Sequence, residues 1–83
     1  MKRFASHYLY VPDTGFLKQQ VIEVEKGYVM NFFPLTEEIE SVEWMPGVIE
    51  LVPEKDKLRA CLLYPFDFKT MQPVAGTLRR QLL

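Results

Sequence analysis

The chain alternates short apolar runs with turn residues, and that rhythm predicts strands. Phe4 to Val11 is aromatic and apolar and stops at Pro12-Asp13-Thr14-Gly15, which reads as a strand followed by a turn. Gln19 to Glu25 reads as a second strand, with Ile22 and Val24 on one face. Lys26-Gly27 is a tight-turn signal, because glycine readily takes positive φ. Tyr28 to Phe33 then gives a third strand, hairpinned to the second and ended by Pro34.

Residues 36 to 39 read as a polar connection. Glu40 to Met45 alternates again, with Val42 and Trp44 on one face and Ser41 and Glu43 on the other. Pro46-Gly47 interrupts the run and Val48 to Val52 continues it. Pro53 to Lys57 is a charged turn, and Leu58 to Tyr64 is a sixth strand-like run ended by Pro65. In the tail, Val74, Leu78 and Leu82 lie four apart, which suits one helix face. Thr77 to Leu82 also reads as a short strand, so residues 74–83 stay open between the two.

The expected fold is all-β: a small β-sandwich or partly open barrel of about six short strands, with room for a short C-terminal helix. At 83 residues the expectation is a single domain, 1–83.

Charge changes this picture little overall, since the net charge is −1, but its distribution is uneven. Residues 37 to 54 carry six Glu and no Lys or Arg. Residues 55 to 83 carry six basic residues against Asp56 and Asp67. The two stretches are expected to face each other in the fold or in a dimer. No basic-and-aromatic nucleic-acid motif accompanies the basic stretch, so no nucleic acid is expected as a partner. No run approaches the ~20 apolar residues of a membrane span, and the N-terminus has no signal-peptide core. A cytoplasmic protein that does not use membranes is therefore expected. Cys61 stands alone, which excludes an internal disulfide. Its apolar run predicts a buried thiol.

The inventory for catalysis is thin. His7 is the single histidine, in the middle of the first strand. One His and one Cys do not furnish the nitrogen and sulfur shell of a zinc site. The glutamates at 37 to 43 lack the loop spacing of a calcium site. His7 with Ser6 or Ser41 lacks a nucleophile elbow. Cys61, flanked by Ala60, Leu62 and Leu63, is expected to be a poor nucleophile. The four glycines form no phosphate-binding loop. Neither enzyme activity nor a metal or cofactor is expected.

Three stretches resemble the small β-sandwich of the amidohydrolase superfamily, the metal-dependent hydrolases that include chlorohydrolases and cytosine or guanine deaminases. Val21-Ile22-Glu23-Val24-Glu25-Lys26-Gly27-Tyr28-Val29-Met30 looks like the family's strand, acid-basic-Gly turn and strand. Glu43-Trp44-Met45-Pro46-Gly47-Val48-Ile49-Glu50-Leu51 looks like the segment by which the family's chain leaves the sandwich for its catalytic barrel. Ala60-Cys61-Leu62-Leu63-Tyr64-Pro65-Phe66-Asp67-Phe68, with Arg79-Arg80-Gln81-Leu82, is similar to the closing segment of chlorohydrolase-like members. The family follows its Pro-Gly segment with His-x-His, the first two metal ligands. Here Val52 and Glu54 hold those places, and a charged turn stands where the barrel would follow.

The resemblance implies a sandwich without its catalytic half, acting as a structural or protein-interaction module. Loss of the barrel is expected to uncover Val48, Val52, Tyr64 and Phe66 for a partner, either a second copy in a homodimer or a barrel-bearing hydrolase chain. The alternative is an accessory subunit or fragment of a metal-dependent amidohydrolase completed by a separate barrel chain. A further reading takes Tyr8, Tyr10, Phe32, Phe33 and Trp44 as a small-ligand platform.

Overall fold

A computed structural model describes residues 1–36 and 40–82. Its strands are β1 (Lys2–Val11), β2 (Gly15–Glu25), β3 (Tyr28–Pro34), β4 (Val42–Trp44), β5 (Val48–Glu54), β6 (Lys57–Asp67) and β7 (Gln72–Leu82). They form one open sheet in the order β3-β2-β1-β5-β6-β7, with β4 also paired to β1. The expected all-β fold is therefore present, with seven strands among the described residues. The polar connection expected at 36–39 falls mostly outside those residues.

Hairpins join β1 to β2, β2 to β3, β5 to β6 and β6 to β7, all antiparallel. The β2–β3 turn is Lys26-Gly27, with φ of 55° and 82°. Positive φ at both central residues matches the right-handed twist of the flanking strands. β1 is the exception to local pairing: its second edge takes β4 beside Arg3–Ala5 and β5 beside Tyr8–Tyr10, both parallel. Between them the chain turns at Pro46-Gly47. The Met45 amide donates to the Ala5 carbonyl at 2.7 Å, which holds this break against β1.

Cross-strand rows build the core. Phe4, Ile22 and Phe32 form one row across β1, β2 and β3. Leu9, Ile49 and Leu62 form a second across β1, β5 and β6, and Leu51, Ala60 and Leu82 a third. All nine belong to or pack on a single hydrophobic cluster. The sheet bends until β3 approaches β6, so the rows meet face to face as in a small sandwich.

The C-terminal segment is strand, not helix. β6 presents a free edge, and Thr77 to Leu82 gains more by completing that ladder than by forming an isolated turn or two of helix. Only Leu82 of the four-apart set reaches the core, while Leu78 is 73% exposed.

The acidic and basic stretches do meet. Of the three ion pairs among the described residues, Arg79–Glu50 and Arg59–Glu54 join one stretch to the other. The third, Arg3–Glu23 at 2.9 Å, ties β1 to β2.

Candidate functional site

The outer face of the sheet carries an aromatic layer. Phe4 and Leu9 both point into the core although five positions separate them, so β1 switches faces between them. The switch falls around His7, between the Ser6–Gln20 and Tyr8–Lys18 pairs, and the intervening Gln19 has a φ of 48°. Strict alternation is broken there, although the register of β1 against β2 runs through without an extra residue on either strand. His7 and Tyr8 can thus both join the outer layer, and Ser6 is buried with its hydroxyl donating to the Tyr8 carbonyl at 2.6 Å.

Six aromatic rings and the His7 imidazole form one connected network. Tyr8 stacks on Phe68 with ring centroids 5.8 Å apart. Phe68 continues to Phe66 at 5.6 Å, and Phe66 to Phe16 at 6.2 Å. Phe16 meets Tyr10 edge-on at 5.0 Å. At the other end His7 stands edge-on to Phe68 at 5.7 Å and to Trp44 at 4.9 Å. Offset and edge-to-face pairs of this kind are the favoured arrangements, because ring edges are positive and ring faces negative. The rings lie on the side of the sheet that carries Val48, whose cross-strand partner is Tyr8. Even so, Phe16, Trp44 and Phe68 keep 38%, 45% and 39% of their surface in solvent.

The residues expected to meet a partner are distributed unevenly over this architecture. Val48 is fully buried and so is not available to a partner, because at the start of β5 it is flanked by Tyr8 on β1 and Leu63 on β6. Val52 is half-buried near the end of β5. Tyr64 is exposed on β6 beside Leu78, and Phe66 is half-buried within the aromatic network. Of the five residues read as a ligand platform, Tyr8, Tyr10 and Trp44 belong to the network, whereas Phe32 packs on the opposite, inner cluster and Phe33 is half-buried opposite Val21 on β2. Phe16 and Phe68 were not singled out by sequence. The signal available for Phe16 was its register opposite Tyr10 across the first hairpin.

The candidate catalytic groups stay apart. Cys61 is half-buried, less than its apolar run suggested, because its side faces Glu50 on β5 and Gln81 on β7 rather than the core row. Burial raises its thiol pKa, an effect opposed by Arg79 and reinforced by Glu50. Glu54 is occupied by Arg59, and Val52 pairs across the ladder with Arg59. Among the described residues no three His, Cys, Asp or Glu side chains converge as metal ligands would. Among the described residues no helix is long and apolar enough to cross a membrane.

No family model matches the chain, and comparison with curated proteins and with solved structures finds no match.

Proposed function

We propose that this chain is a non-catalytic β-sandwich module that binds a protein partner through its outer aromatic face. One observation carries the reading: a continuous aromatic layer whose members Phe16, Trp44 and Phe68 remain more than a third exposed and carry no charge. Large uncharged rings left in water are costly to expose and mark surfaces that meet other proteins. Trp and Tyr at such surfaces supply a disproportionate share of binding energy. The partner surface would be apolar and poor in charge, with a recess for the Trp44 indole. The resemblance to amidohydrolase sandwiches agrees with this reading, since Val52 and Glu54 stand where that family keeps imidazoles.

Affinity capture with wild type, Trp44→Ala and the exposed control Lys55→Ala tests the surface. The same partner should be retained by wild type and control and lost from Trp44→Ala. Equal retention by all three, or no specific partner, rejects the aromatic face. Stoichiometric zinc in the purified protein, with turnover abolished by altering one of its own residues, would reject the non-catalytic reading.

A second reading, an accessory chain completed by a separate hydrolase barrel, is favoured by the β5–β6 turn. Its Lys55 and Asp56 lie where the resemblance implies departure to a barrel, and both are exposed. It requires that adding this chain raise the activity of a barrel-bearing hydrolase.

A further inference from the structure

At one end of the sandwich the β2–β3 and β5–β6 turns flank a cavity of about 600 Å³. Tyr28, Val29 and Leu58 give it an apolar wall. The wall is braced across the sandwich, because Tyr28 on β3 is held by Arg59 on β6. Met30, also at the cavity, is 57% exposed although it is a large apolar side chain. Four charged residues line the opening: Glu25 and Lys26 from one turn, Asp56 and Lys57 from the other. All four are exposed, and none takes part in the three ion pairs found among the described residues.

We propose that this end of the sandwich joins a second copy of the chain about a two-fold axis. Met30 of each copy enters the cavity of the other, and Lys26 of each faces Asp56 of the other. A two-fold interface must be complementary to itself, since the same patch appears on both sides. A rim of one sign would repel its own copy. This rim carries two acids and two bases, with one of each sign on either turn, so a two-fold that sets the β2–β3 turn of one copy against the β5–β6 turn of the other can pair unlike charges. The exposed rim pairs fix orientation more than they add affinity. Affinity comes from the apolar wall and from Met30, an unbranched side chain that adapts to an irregular recess. The patch shares no residue with the aromatic network.

Sedimentation velocity of the full chain from micromolar to millimolar concentration tests the proposal. Wild type should shift from monomer to dimer mass as concentration rises. Met30→Asp should weaken association by at least about thirtyfold, the loss typical of a central anchor. Lys26→Glu and Asp56→Lys should each remain monomeric where wild type is dimeric. Mixed in equal amounts, those two variants should re-form a dimer, because each supplies the charge the other needs. Circular dichroism checks that every variant keeps its strands. Trp44→Ala should self-associate like wild type, which separates this surface from the aromatic face. A wild type that stays monomeric at all concentrations overturns the proposal, as does a dimer indifferent to Met30→Asp. Failure of the two charge variants to associate on mixing overturns the two-fold pairing of Lys26 with Asp56. An organic ligand or a different protein occupying the cavity would appear as the first of these results.

Discussion

Arg59 holds Tyr28 in two ways at once: its guanidinium lies 4.6 Å from the ring centroid and its Nη2 donates to the phenolic oxygen at 3.1 Å. Glu54 accepts from the same guanidinium, and the Lys57 ammonium also stands 4.6 Å from the ring. Tyr28 is on β3 and Arg59 on β6, which share no backbone ladder. The pair therefore clasps the two halves of the open sheet where hydrogen bonding between strands does not.

Tyr28→Phe keeps the ring and removes the hydroxyl, so it should cost about 1 kcal/mol. Arg59→Ala also loses the cation–ring attraction and should cost about 1–2 kcal/mol. Urea unfolding of both single variants and the double variant measures the coupling. Additive losses would mean that the two residues do not act as a clasp.

Gly47 is fixed by geometry as well as by space. Its φ is +114°, and a Cβ there would collide with the Leu63 carbonyl oxygen across the sheet. Gly15 has a comparable φ of +102° but open space around it. Gly15→Ala should therefore cost about 1–2 kcal/mol from backbone strain alone. Gly47→Ala should cost at least about 2 kcal/mol more, because backbone atoms must move. Thermal unfolding of the two variants checks this order, and equal losses would contradict the close approach.

Asp67 accepts backbone N–H bonds from Lys69 at 2.8 Å and Thr70 at 3.3 Å in the β6–β7 turn. These donors favour the carboxylate and hold its pKa below the usual range. A lowered folded pKa contributes stability above the unfolded value and loses it as pH falls through the folded value. The loss should thus appear below about pH 4. Urea midpoints at about pH 6 and about pH 3 should fall less for Asp67→Ala than for wild type. An identical fall would show that the turn does not depend on this carboxylate.

Much of the fold is legible in local chemistry. Pro12 to Gly15, Lys26-Gly27 and the charged residues around Lys55 and Asp56 are where the chain turns, and apolar runs lie between them. Alternation placed Ile22 and Val24 on one inward face, because a strand's side chains have a period of two. That period fails at His7, where a local switch sends Phe4 and Leu9 to the same side. The pair Ser6–Gln20 and the pair Tyr8–Lys18 keep one register, and the irregular backbone between them, with Gln19 at a φ of 48°, marks the switch.

The amino-acid order by itself determined an all-β chain and its hairpin turns, because turn propensity and side-chain alternation are local properties. Tertiary structure decided the fate of the tail, where Leu78 and Leu82 suit a helix as well as a strand until β6 supplies unpaired backbone partners. It also decided that Phe16, Phe66 and Phe68 meet Tyr8 and Trp44 on one face while Val48 disappears beneath neighbouring strands. Those outcomes depend on which strands lie side by side, and β1 pairs with β5 across a long stretch of chain.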